Sequence, residues 1–175
     1  MRPTLMAVFG LVLAGGFAAG CISAKNIERA ASRVELSTAY IRENNAEAAV
    51  GSLREAIKLD PRNWRAHMML GMAYVAKGQP DLADEAFQGA LRLNPEEGEI
   101  LVNYGAFLVQ RGRPAEAIPV FERAINDLDY RSPAIVLSNL SRAHLDLGES
   151  DKAVLRAEEA LRRAPTLCPA MYHLG

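Results

Sequence analysis

The side chains best suited to chemistry in this sequence are two thiols, Cys21 and Cys168, and three imidazoles, His67, His144 and His173. A thiolate activated by a neighbouring imidazole is a nucleophile, and only Cys168 and His173 are close enough in sequence to suggest one. Five residues apart on a helix, however, the two side chains diverge by about 140°. No third group is placed to orient the imidazole. The histidines also lack the spacing to other ligands that a metal site requires, and His67 and His144 are read as packing or rim residues. Neither a phosphate-cradling glycine loop nor a nucleophile elbow is present. The expectation is a non-enzymatic protein that uses no cofactor, no metal and no small-molecule substrate. Twenty Lys and Arg against 21 Asp and Glu give a formal net charge of −1, which provides no basic field for nucleic acid.

Cys21 suggests a different chemistry. Arg2 is followed by an apolar run from Leu5 to Phe17, then by Ala18-Ala19-Gly20 and the cysteine. A positive start, an apolar stretch and small residues form an export signal. The run falls short of the ~20 residues that span a bilayer. A small-residue stretch ending in Gly-Cys resembles a bacterial lipobox, with Ala18 where Leu is usual. Residues 1–20 are therefore expected to be a lipoprotein signal peptide, Cys21 the lipidated residue, and 21–27 a linker. Each buried methylene adds ~0.8 kcal/mol of membrane attachment. Ile22, where Asp would signal retention, implies the outer membrane with the protein facing the periplasm. With Cys21 acylated, Cys168 has no partner within the chain, so a disulfide framework is excluded.

The rest of the chain repeats. Leu36, Leu70, Tyr104 and Leu140 share one slot, and Ser37, Gly71, Gly105 and Ser141 the next. Ala49, Ala83, Ala117 and Ala153 form a third column. Leu53, Phe87, Phe121 and Ala157 form a fourth, and Ala56, Ala90, Ala124 and Ala160 a fifth. The period of about 34 residues is the tetratricopeptide pattern. Asn44, Gly78, Gly112 and Gly148 stand where a helix must stop in a left-handed turn. Pro80 and Pro114 follow at positions favoured in a first helical turn. The reading is all-α: a tetratricopeptide-repeat α-solenoid of antiparallel helix pairs at about 28–43/46–59, 64–77/80–93, 98–111/114–127 and 133–147/150–163. The four repeats occupy about 30–63, 64–97, 98–133 and 134–167. Asp129-Tyr-Arg-Ser-Pro133 carries two extra residues and predicts a longer, exposed loop. Residues 168–175 repeat the opening of a unit, which predicts a truncated fifth repeat because a solenoid needs a polar cap to finish.

In repeats of this type the first helix of each pair lines the concave face. The inward slots then hold Val34, Thr38 and Ile41; Met68, Met72 and Val75; Val102, Ala106 and Val109; and Ser138, Arg142 and Leu145. This mostly apolar stripe predicts a partner-binding groove for a protein segment, with methionines that adapt to their ligand. The same stripe could instead be inter-repeat core. Repeats that clamp a terminal carboxylate carry Lys and Asn where this chain has Val34, Thr38, Met68 and Met72, so a carboxylate clamp is excluded.

Asp81-Leu-Ala-Asp-Glu-Ala-Phe87, Val102-Asn-Tyr-Gly-Ala-Phe-Leu108 and the extra loop before Ser138-Asn-Leu140 resemble the type IV pilus biogenesis/stability lipoprotein family. The resemblance covers residues 21 to 167. It implies an outer-membrane pilotin anchored through Cys21 that binds the secretin subunit and helps it localise and multimerise. Members have about six repeats, more than this chain contains. A general periplasmic adaptor for cell-envelope complexes and the regulatory repeats of a longer enzyme remain as alternatives.

Overall fold

The computed structural model describes residues 22–127, 130 and 132–165. The segment expected to be a signal peptide, Cys21, Cys168, His173 and residues 168–175, expected to open a fifth repeat, lie outside the described residues.

Among the described residues eight helices run in order: α1 (Ala24–Arg42), α2 (Ala46–Leu59), α3 (Trp64–Ala76), α4 (Pro80–Leu93), α5 (Gly98–Gln110), α6 (Pro114–Asn126), α7 (Pro133–Asp146) and α8 (Ser150–Arg163). Among the described residues there is no strand. Each odd helix pairs with the next to form a hairpin, and the odd helices also touch one another along the stack. The described residues thus form an all-α solenoid of four helix pairs, as the repeat columns predict.

The turns explain the breaks. Asn44, Gly78, Gly112 and Gly148 all have positive φ, at 55°, 68°, 70° and 75°. At Asn44 alone a side chain tolerates the left-handed region, which Asn does better than most residues. Pro80 and Pro114 occupy first turns, where the missing N–H removes no helical bond. Ser23, Asn45 and Asn63 cap α1, α2 and α3 by accepting backbone N–H bonds from Asn26, Ala48 and Ala66, which satisfies donors that a helix start leaves open.

Two expectations are corrected. The helix begins at Ala24, so most of the 21–27 segment expected to be a linker is the first turn of α1; the Ser23 cap sets that start. The long loop before α7 is also not simply exposed. The Asp127 carboxylate accepts the Gly98 N–H at 2.8 Å, and Tyr130 packs over Gly98, half-buried. Any Cβ at position 98 would lie 2.6 Å from Asp127 Oδ2 and 2.8 Å from Tyr130 Cβ. Asp127 and Tyr130 together cover the start of α5.

The interior is one continuous apolar cluster running from Ala30 to Ala143, with Leu137 and Ala160 as a smaller one beside it. Within each hairpin the small-residue column is matched to the large one. Gly71 faces the Phe87 ring and Gly105 the Phe121 ring, so the backbone of the odd helix lies directly on an aromatic face. Where the opposite residue is Leu53 or Ala157, the small slot is a serine. Ser37 donates to the Val34 carbonyl at 2.6 Å and Ser141 to the Ala153 carbonyl at 2.8 Å.

Between the second and third pairs, α4 and α5 approach less closely than α2 and α3 or α6 and α7. Aromatic rings fill the gap: Phe87 lies 5.8 Å from Tyr104 and 5.4 Å from Phe107, centroid to centroid. These separations suit tilted ring pairs. A polar cluster locks the same junction. The Tyr104 hydroxyl donates to Asp84 at 2.9 Å, and Arg113 pairs with the other Asp84 oxygen.

Candidate partner-binding groove

The odd helices α1, α3, α5 and α7 stand side by side, so the same slot of each repeat forms a row across them. The slots of Val34, Met68, Val102 and Ser138 are closed, with exposures of 5%, 1%, 8% and 6%. Val34, Met68 and Val102, three of the nine residues predicted to line the groove, are therefore core. The reason is the lateral contact of consecutive odd helices. Met68 is closed to a ligand: it is buried, and its Sδ accepts the Asn103 side-chain N–H of the next repeat at 3.8 Å. The other six, Thr38, Ile41, Met72, Val75, Ala106 and Val109, remain at least partly accessible. Ile41, Met72, Val75 and Val109 are half-buried against the core, and with exposed Ala106 and Leu145 they form a partly open, mostly apolar floor.

The floor continues one turn toward the helix starts, in a slot that the sequence reading missed. Ala31, Arg65, Glu99 and Ile135 each lie three residues before the buried slot, and all are open to some degree. Extending the stripe by one helical turn would have found them. Here Arg65 Nη2 bonds Glu99 Oε2 at 3.0 Å across the two repeats, while its guanidinium covers Trp64 at 5.1 Å. Beside this pair opens a cavity of about 760 Å³ lined by Arg65, Asn94, Glu96, Glu97, Glu99, Asp127 and Tyr130. Burial pushes the Tyr130 hydroxyl above its ordinary pKa, and the Glu99 charge adds to the effect. Tyr130 therefore stays neutral at physiological pH. A smaller cavity of about 230 Å³, lined by Val75, Gly78, Pro80, Phe107, Gln110 and Arg111, opens at the other end of the floor.

The histidines have structural partners. His67 Nε2 contacts the Pro61 carbonyl at 3.2 Å, and buried His144 Nδ1 contacts Glu149 at 2.6 Å. Among the described residues, no cluster of His, Cys, Asp and Glu could hold a metal ion. No described helix is long and apolar enough to cross a membrane.

Stacked helix hairpins with a shared interior and an open row on the first helices define a repeat scaffold. Tetratricopeptide-repeat profiles match residues 34–83, 68–133 and 134–159, and the chain belongs to the tetratricopeptide-repeat family. Proteins of this family generally act as non-catalytic scaffolds that bind other proteins.

Among solved structures, the chain resembles PilF of Pseudomonas aeruginosa, with 28% identity and a TM-score of 0.81 over 85% of this chain and 67% of that one. It also resembles PilW, described as a widely conserved type IV pilus biogenesis factor, with 31% identity and a TM-score of 0.77 over 81% of this chain and 64% of PilW. The chain therefore spans roughly two thirds of each. YrrB, described as having an unusual peptide-binding site, shares the fold at 24% identity and a TM-score of 0.68 over 85% of this chain and 76% of YrrB. No curated protein matches the sequence.

Proposed function

We propose that this protein is a non-enzymatic, lipid-anchored scaffold for type IV pilus biogenesis. In this reading Cys21 tethers it to the outer membrane facing the periplasm, and the repeats bind the secretin subunit and aid its localisation and multimerisation. The observation that carries the binding part is the partly open apolar floor of half-buried Ile41, Met72, Val75 and Val109 and exposed Leu145, beside a closed slot on the same helices. A row that the repeat contacts leave open exposes apolar area, and burying it against a partner segment is favourable by about 25 cal/mol per Å². The pilus part is supported by the likeness to PilF and PilW and by the family resemblance of the sequence.

Deletion in the source organism tests the whole reading. It should reduce secretin multimers on a gel and abolish twitching motility; unchanged multimers and motility would reject it. The anchor has its own test. Palmitate-analogue labelling should be strong in the wild type and absent in Cys21→Ala, with the variant released from the membrane fraction. Equal labelling of both would remove Cys21 from this role.

The groove is tested by Met72→Asp. Placing a carboxylate in the apolar floor should weaken secretin binding by about tenfold or more, which is ~1.4 kcal/mol or more. The helical circular-dichroism signal should stay unchanged, because Met72 is only half-buried. Loss of that signal would assign Met72 to the core.

A further inference from the structure

The three junctions between consecutive repeats are not built alike. At the outer two, the second helix of one repeat lies close against the first helix of the next, α2 on α3 and α6 on α7; at the middle one, α4 and α5 stand further apart. The residue types give the cause. Val50, Asp84 and Ile118 share one slot on the second helices, and Leu70, Tyr104 and Leu140 share one on the first helices that follow. The outer junctions thus have apolar side chains at both slots, while the middle one has a carboxylate and a phenol.

Two kinds of contact hold the middle junction. Phe87, only 1% exposed, touches both Tyr104 and Phe107. Aromatic pairs keep their attraction over a range of tilts, and the three here stand at 40°, 38° and 19°. Around the rings the links are polar. Tyr104 and Arg113 both hold Asp84, Arg65 pairs with Glu99 on the surface, and Asn103 reaches the Met68 sulfur, a weak acceptor. Parting two apolar side chains exposes both to water without compensation. A hydrogen bond opened to water is largely replaced by one to solvent, and an exposed ion pair contributes little. The middle junction is therefore the easiest of the three to open.

There is also room for movement. The cavities of about 760 and 230 Å³ open at the two ends of the seam between α3 and α5. Each is lined by both repeats, Arg65 and Glu99 at one end, Val75 and Phe107 at the other.

We infer that the middle junction is a hinge. The first two repeats and the last two move as two bodies about the rings of Phe87, Tyr104 and Phe107, and the clasp of Tyr104 and Arg113 on Asp84 limits how far they part. Hinge motions of this kind turn on few residues. The row of Met72, Val75, Ala106 and Val109 crosses the hinge, so its width follows the angle between the two bodies. The hinge stands whether or not the row binds a partner.

Lys58, Arg92, Asn126 and Arg162 are equivalent exposed positions, one on each second helix, and none belongs to the clasp. The test uses the full chain carrying Cys21→Ser and Cys168→Ser, with spin labels on three pairs of introduced cysteines. These are Lys58→Cys with Arg92→Cys, Arg92→Cys with Asn126→Cys, and Asn126→Cys with Arg162→Cys. Double electron–electron resonance should give a distance distribution about twofold broader for the middle pair than for either outer pair. Asp84→Ala should broaden the middle pair further and leave the outer two unchanged. Tyr104→Phe keeps the ring and removes only the hydroxyl bond, so it should do the same to a smaller degree, and it carries the test if Asp84→Ala loses its helical signal. A middle pair no broader than the outer ones would overturn the hinge. Equal broadening of all three pairs in the variants would overturn it too, since the stack would then be loosening as a whole. A broad middle pair that neither variant changes would overturn the role given to the clasp.

Discussion

Phe121→Ala is expected to lower the unfolding free energy by about 3–5 kcal/mol, the range for removing a fully buried aromatic side chain. Phe121 has 0% exposure and its ring lies against the α5 backbone at Gly105. A Cβ added at Gly105 would fall 2.5 Å from Phe121 Cε1 and 2.7 Å from Cζ. Gly105→Ala should therefore cost about 1–3 kcal/mol through overpacking, because the ring has no space to retreat into. In a Phe121→Leu background the same Gly105→Ala change should turn neutral or stabilising, since Ala is favoured over Gly in a helix by about 1 kcal/mol. That sign reversal is the discriminating result. It would be read from urea denaturation of the four proteins as a double-mutant cycle. A Gly105→Ala penalty that is the same in both backgrounds would mean that the ring is not what forbids the methyl. The first repeat shows the logic in its native sequence, where Leu53 stands opposite Ser37.

The second large effect is expected at Asp84. Burial raises its carboxyl pKa, but hydrogen bonds from Arg113, Tyr104 and Gln88 outweigh burial and hold it below the ordinary value of 3.8. A depressed folded pKa contributes stability that is complete above the unfolded value and is lost as pH falls through the folded one. The window therefore lies below about pH 4. Asp84→Ala should cost about 1–3 kcal/mol at neutral pH, because the Tyr104 hydroxyl and one face of Arg113 lose their acceptor. In Asp84→Asn the acid-dependent part of the loss should shrink. Denaturation at pH 7 and pH 3 checks both. An Asp84→Asn protein that loses as much stability on acidification as the wild type would place the acid sensitivity elsewhere. The consequence would reach beyond local stability, because Asp84 belongs to the second repeat and Tyr104 and Arg113 to the third. In a solenoid each repeat is held by its neighbours, so a weak junction there would divide the stack, and the row of Met72, Val75, Ala106 and Val109 that crosses it would lose its register.

The functional reading depends on the same junction. The cavity beside Arg65, the smaller cavity at the opposite end and the central methionine all lie where the second and third repeats meet. The aromatic fill of Phe87, Tyr104 and Phe107 sets the distance between α4 and α5. A partner that reads this part of the row therefore reads a spacing fixed by side chains on its far side.

The helix pairs were legible in the amino-acid order because their causes are local. A residue that tolerates positive φ must stand at each break, and Asn44, Gly78, Gly112 and Gly148 do. A proline is tolerated in a first turn, and the apolar columns recur at the repeat period. α1 starts earlier than its weak apolar pattern indicates, because the Ser23 cap sets the first turn. Stacking decided what periodicity could not. Val34, Thr38 and Ile41 are equivalent residues on one stripe, yet lateral contact between odd helices closes the first and leaves the other two open. A helical repeat states which residues share a face, but how deeply a neighbour covers that face depends on the distance between two helices that are about 34 residues apart in the chain. The Tyr130 wall belongs to the same category. Its presence was visible as two extra residues, and its position over Gly98 follows from a tertiary contact with α5 that no local pattern encodes.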